Sequence, residues 1–228
     1  MSDPKNPTTE IQNINPNQEE KNTNQEDIEL HPLTGKEISI KIKETPDNYA
    51  NTSPLGLIAF GMTTVMLSFH NVSAYEMNTM IIGMGFFYGG LVQLIAGIFE
   101  IKKSHTFGGT AFCSYGAFWM SFCFINFGNY LTGIGNPDKY ALGTYLLFWF
   151  IFTAFMFFGT LKHGHVTLKL IFGSLAITFL FLSIGAYSEK IAVTKIGGYL
   201  GLLCGGCAIY TACAEIIDGE QGYTLMPI

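Results

Sequence analysis

Three runs in this 228-residue chain set small or polar side chains on one face of a helix. Gly85, Gly89, Gln93, Ala96 and Glu100 recur at spacings of four, four, three and four, the period that keeps residues on a single helical face. Gly198, Gly201, Gly205, Ala208, Ala212 and Glu215 follow at three, four, three, four and three. Thr110, Ser114, Ala117 and Ser121 make a third stripe. In lipid, small residues so spaced let helix backbones approach closely, and packing accounts for the glycines. It does not account for Gln93 in mid-stretch or for a carboxylate closing each of the first two faces. A polar group inside a membrane is costly and turns toward the bundle interior or a wet cavity. Glu100 and Glu215 read equally as interface anchors and as proton-handling groups. The hydroxyls of the third stripe either face a route or bond back to their own helix. Three polar stripes in one bundle favour a route.

Such faces need apolar helices to carry them. Uncharged apolar stretches near twenty residues recur along the chain, and about 20 such residues cross the ~30 Å hydrocarbon core. The spacing predicts six spans: 54–71, opened by Pro54 in a first helical turn, then 80–100, 107–127, 141–160, 168–187 and 191–217. The fold class is thus an all-α integral membrane protein, a six-transmembrane-helix bundle. Short connections make it compact, with one longer loop over 128–140.

Charge divides the chain differently. Residues 1–50 hold ten acidic residues against five lysines, and the remainder holds seven of each. Residues 1–48 carry too little apolar surface to offset their ordering entropy and are expected to form a disordered acidic tail, with a short strand or a surface contact in 38–42. The transmembrane domain covers 49–217 and a short C-terminal tail 218–228. No apolar leader is found in the first fifty residues. With the tail in the cytoplasm, inner segments hold Lys36, Lys41, Lys43, Lys102, Lys103, Lys162 and Lys169, and outer ones Lys139, Lys190 and Lys195. That bias puts both termini inside. No basic excess suggests nucleic acid. Cys204 and Cys207 form a CxxC, but no second Cys or His pair completes a ligand set, so they read as small residues in a Gly-rich face. No paired His/Asp/Ser set, metal spacing or phosphate-cradling motif supports an enzyme, and no cofactor is expected.

Several local motifs run together. Asn51-Thr52-Ser53-Pro54-Leu55-Gly56-Leu57 opens the first span, followed by Phe60 and His70-Asn71. Phe87-Tyr88-Gly89-Gly90 precedes Gln93 and Ala96-Gly97 in the second. Lys102-Lys103, Thr106-Phe107-Gly108 and Ser114-Tyr115-Gly116-Ala117-Phe118-Trp119 follow, and Phe157-Phe158-Gly159-Thr160-Leu161-Lys162 closes the fourth. From Asn51 to Ile228 the set resembles the acetate uptake transporter family, also called succinate–acetate permeases. The resemblance implies a six-helix subunit, usually a hexamer, with a permeation path in each protomer. It implies a constriction of Phe60, Tyr115 and Leu175, and a position linked to substrate size at Ala208. Asn51, Gln93, Thr110 and Ser114 are the remaining pathway candidates. Thr52 stands where the family's Asn-Pro-x-Pro opening has its first proline, which predicts a looser start to the first helix.

The resemblance makes the absence of arginine informative. Every basic residue is lysine, and none lies deep in a candidate span. A carboxylate held inside hydrocarbon would want a strong cationic partner. A weak acid with a pKa near that of a Glu side chain avoids the problem by crossing protonated. An apolar ring dewets against hydrated ions, while the Tyr115 hydroxyl is positioned to offer a neutral acid one hydrogen bond. The expectation is movement of acetate, with succinate as a second cargo, as the neutral acid or with a proton. Membrane lipids are the other partners. Two alternatives stand: a passive pore for another small solute such as ammonia or urea, and a non-transport assembly or signalling role in which the tail binds a partner.

Overall fold

The structure, a computed structural model, describes Ile28–Glu29, Lys41–Ile42 and residues 49–227 other than His163. The chain divides into two compact units, Met1–Asp47 and Asn48–Ile228. In the first, two short strands, β1 (Ile28–Glu29) and β2 (Lys41–Ile42), pair antiparallel with Ile28 opposite Ile42 and Glu29 opposite Lys41. The strand expected in 38–42 is described at its last two residues. The expectation of a disordered tail otherwise falls outside the described residues.

The second unit is built of six helical rods: α1 (Ser53–Asn71), α2 (Thr79–Lys102), α3 (Thr106–Thr132), α4 (Lys139–Thr160), α5 (Val166–Ser188) and α6 (Ile191–Gln221). All but α3 are long and apolar enough to cross a membrane by length and composition. α3 has 27 residues, about 40 Å at 1.5 Å per residue, and carries the hydroxyl stripe.

The helix starts follow from their capping residues. Pro54 sits in the first turn of α1, where its missing N–H costs nothing. Asn78 accepts hydrogen bonds from the Met80 and Ile81 amides, and Asp138 from the Ala141 amide at 2.7 Å. Such side-chain acceptors satisfy donors that a helix start leaves orphaned. α3 runs five residues past its expected end, and the loop to α4 shrinks to residues 133–138. Past α6, Asp218 accepts from the Leu225 and Met226 amides, folding the short C-terminal segment back.

α1 packs along α6, α6 along α5, α5 along α4, and α2 along α3. The α1–α6 seam is tight: a Cβ on Gly61 would lie 2.8 Å from the Gly205 carbonyl, and one on Gly205 would lie 2.8 Å from the Gly61 carbonyl. α3 meets α4 through aromatic rings, with Phe118 5.1 Å from Trp149 and Tyr115 6.0 Å from Trp149 between centroids. Within α2, residues Met84–Val92 wind as a π-helix, a wide form rare beyond single turns and frequent at functional sites. It ends at Gln93.

Candidate functional site

A cavity of about 730 Å³ opens at the end of the bundle that carries the start of α1, the α2–α3 turn, the α4–α5 loop and the end of α6. Asn51, Ser53, His105, His165, Thr211 and Glu215 are among its polar lining residues. Its apolar walls come from Leu57, Phe107, Ala111, Phe112, Leu168, Ile171 and Phe172. Phe60, Tyr115 and Leu175 also line it, each nearly inaccessible to solvent. α1, α3 and α5 therefore bring together the three side chains assigned to a constriction. The Phe60 and Tyr115 rings stand 5.7 Å apart.

A second cavity of about 370 Å³ opens at the opposite end, lined by His70, Asn71, Asn126, Asn136, Thr194 and apolar residues including Leu67 and Phe118. On α1 the two cavities are bounded by Phe60 and Leu67, seven residues apart or about 10 Å. Thr63 and Thr64, both buried, fill the interval on α1, and Phe118 packs on Phe179 at 5.1 Å. The two cavities thus lie toward opposite ends of the bundle with buried side chains between them.

Gln93 is wholly buried, lines the larger cavity, and has no hydrogen-bond partner at Nε2 or Oε1 among the described residues. The predicted face of α2 holds, since Gly85, Gly89, Gln93, Ala96 and Glu100 are all buried. Tyr115 differs from expectation. Its hydroxyl donates to Thr153 Oγ1 at 2.9 Å, and Thr153 donates on to the Trp149 carbonyl at 2.7 Å. The phenol proton is thus committed to α4, leaving the oxygen as an acceptor.

The two carboxylates grip the opening of α1 from either side. Glu100 is buried and accepts hydrogen bonds from Thr52 Oγ1, from Lys103 Nζ at 2.9 Å and from His105 Nδ1 at 2.8 Å. Glu215 accepts from Asn51 Nδ2 and Ser53 Oγ, each at 3.3 Å. The expected looseness at Thr52 is not what the structure has, because its hydroxyl ties the helix start to Glu100, a bond no proline could make.

The stripe on α3 does not belong to the cavity. Thr110 is exposed, and neither Thr110 nor Ser114 lines either vestibule. Ser121 donates to the Phe118 carbonyl of its own helix. The face of α3 that meets the cavity is Phe107, Gly108, Ala111, Phe112 and Tyr115. Ala208 is fully buried on α6 but outside the lining, one turn before Thr211. His105, His165, Thr167 and Thr153 were not singled out by sequence. For His105 a usable signal existed: an imidazole in the short turn that follows a face-closing carboxylate. The Cys204 thiol lies 3.3 Å from the Ile171 carbonyl and serves the α5–α6 contact. Among the described residues, no group of three His, Cys, Asp or Glu side chains is placed to hold a metal ion.

Among the described residues no lysine lines the larger vestibule; the ionisable lining groups there are Glu100, His105, His165, Glu215 and the Tyr115 phenol. The arrangement can therefore hydrogen-bond a small polar solute and exchange protons with it, and the adjacent lysine, Lys103, is already paired with Glu100 at 2.9 Å.

Comparison with known proteins gives matches across the bundle. Residues 35–228 match the sequence profile of the GPR1/FUN34/yaaH family. The chain is 45% identical over 179 residues to the succinate-acetate/proton symporter SatP of Escherichia coli K12, covering 78% of this chain and 95% of that protein. It is 38% identical over 197 residues to acetate permease A of Emericella nidulans, covering 79% and 66% of the two chains. A solved structure of the bacterial acetate channel SatP superposes with a TM-score of 0.77 at 45% identity, covering 79% of this chain and 99% of the other.

Proposed function

This chain belongs to the GPR1/FUN34/YaaH family, and from that membership we propose that it carries acetate, with succinate as a second cargo, through a path within each subunit. The cargo moves as the neutral acid or together with a proton. Gln93 is the observation that carries this reading. A carboxamide with both Nε2 and Oε1 free complements a protonated carboxyl group: the amide N–H donates to the acid carbonyl, and the acid O–H donates to Oε1. A carboxylate anion can use only the donor half and meets Oε1 as a second acceptor. The lining points the same way, because Lys103 is already paired with Glu100 and a bare anion there would lose its hydration with no unpaired lysine among the described lining residues in return.

Phe60, Tyr115 and Leu175 form the barrier in the path, and their contact in one buried cluster supports that role. Ala208, beneath the lining, would set substrate size through the fit of α6 rather than by touching cargo. The exposed hydroxyl and small residues on α3 support association of subunits, since a polar face turned to lipid is disfavoured. Six copies is the number the family resemblance gives. The lysine distribution supports a cytoplasmic side for both termini and the larger vestibule.

Counterflow of labelled acetate in proteoliposomes at two pH values tests the proposal. Uptake should rise as pH falls. Phe60→Ala and Tyr115→Ala should widen selectivity toward larger acids. Gln93→Leu should lower uptake about tenfold or more, the loss expected when a buried polar contact worth 1–3 kcal/mol is removed. Uptake that carries one net negative charge and ignores pH would overturn the reading.

A further inference from the structure

A cargo that leaves the barrier as a neutral acid must give up its proton before it dissolves as an anion, and the larger vestibule holds a base placed to take it. Glu100 is buried with its oxygens accepting from Thr52, Lys103 and His105. A carboxylate saturated by donors is an acceptor only, so the His105 nitrogen that faces it, Nδ1, must carry the hydrogen. Neutral His105 then presents a bare lone pair at Nε2. The ring is 60% exposed while the Glu100 side chain is 4% exposed, and both residues line the vestibule. This is the carboxylate–imidazole arrangement in which the buried acid fixes the tautomer and orientation of the ring.

The backbone reinforces the pairing. Ser104 takes a left-handed conformation at φ 61, the Ser104 amide donates to the Ile101 carbonyl and the His105 amide to the Glu100 carbonyl, each at 2.9 Å. This turn, of the kind that closes helix C-termini, brings His105 back beside Glu100. Lys103 from the same helix end neutralises part of the carboxylate charge at 2.9 Å.

We propose that His105, oriented by Glu100, is the group that accepts the proton from the acid cargo on the side of the larger vestibule. Glu100 is a positioning residue and not a proton carrier, which separates the two face-closing carboxylates. The step is a single proton transfer. The O–H bond of the neutral acid breaks, its electron pair stays on the carboxylate oxygen, and a new N–H bond forms at Nε2. The imidazolium then returns that proton to bulk water. Run backwards, the same group supplies a proton to an anion about to enter. The other ionisable groups of the vestibule are His165 at the start of α5, Glu215 on α6 and the Tyr115 phenol, with Lys103 behind Glu100. This inference rests on the neutral-acid reading above.

The test uses full-length protein in proteoliposomes loaded with a pH-sensitive dye, with acetate-driven acidification and labelled-acetate counterflow measured side by side. His105→Ala should slow acidification about tenfold near neutral pH, toward the low end of what positioned acid–base groups contribute, and flatten its pH dependence. Imidazole added on both sides should restore the rate. His105→Gln, which keeps a donor toward Glu100, should be as slow as His105→Ala, while Gly206→Ala, on a face of α6 away from the vestibule lining, should behave as wild type. A slow His105→Ala that imidazole does not restore, or a wild-type rate and pH profile in His105→Gln, would overturn the proposal. Absence of counterflow in the wild-type protein would instead overturn the transport reading on which it rests.

Discussion

Gln93 shows how a single residue can trade stability for work. A buried polar side chain without a partner costs about 1–3 kcal/mol, and neither functional atom of this one has a partner among the described residues. Gln93→Leu should therefore raise stability by about that amount while lowering acetate uptake, a combination that a purely structural glutamine would not give. Thermal unfolding in detergent, alongside counterflow, reads both. Gln93 was legible in the sequence because nothing polar surrounds it in its stretch. Tyr115 and Phe60 became legible only through their motifs, since aromatic residues are ordinary in any bundle. The Tyr115–Thr153 bond was not legible: it joins residues 38 apart on helices whose rotation no local pattern fixes. Thr52 was misread for a related reason. A missing proline is visible in the chain, whereas the carboxylate waiting for its hydroxyl lies 48 residues away.

The helices themselves were the most legible feature, because lipid demands a long apolar run for each crossing and forbids unpaired backbone. Their ends were less so, being set by caps such as Asn78 and Asp138 and by turns such as that at Ser104. The π segment of α2 leaves no compositional trace, as i→i+5 pairing selects for no residue type. The hydroxyl stripe of α3 lies outside both cavities, because a serine or threonine turned to the surface or, like Ser121, bonded back to its own helix looks the same in sequence as a pathway residue. The α1–α6 seam yields a prediction at this scale. Gly61→Ala would press a methyl against the Gly205 carbonyl and Ile209 and should destabilise the protein by about 1–3 kcal/mol. Gly206→Ala, whose added carbon meets nothing within 4 Å, should be neutral or stabilising by about 0.5–1 kcal/mol through helix propensity. Denaturation of the two variants in parallel checks the contrast.

For the whole molecule, if all six rods cross the membrane, as the proposed function requires, both ends of the bundle return to one side. Epitope tags at the two termini should become reachable together, and only after cells are permeabilised if that side is the cytoplasm. The two vestibules carry a further consequence. Solvent-accessible hollows at either face act as extensions of the surrounding electrolyte, so a transmembrane voltage drops mainly over the roughly 10 Å of closed packing between Phe60 and Leu67. A full charge crossing that short gap would feel nearly the whole potential, about 2.3 kcal/mol for each 100 mV. An uncharged passenger feels none of it, so the energised state of the membrane would leave its flux unchanged and the concentration and acidity on each side would decide which way it runs.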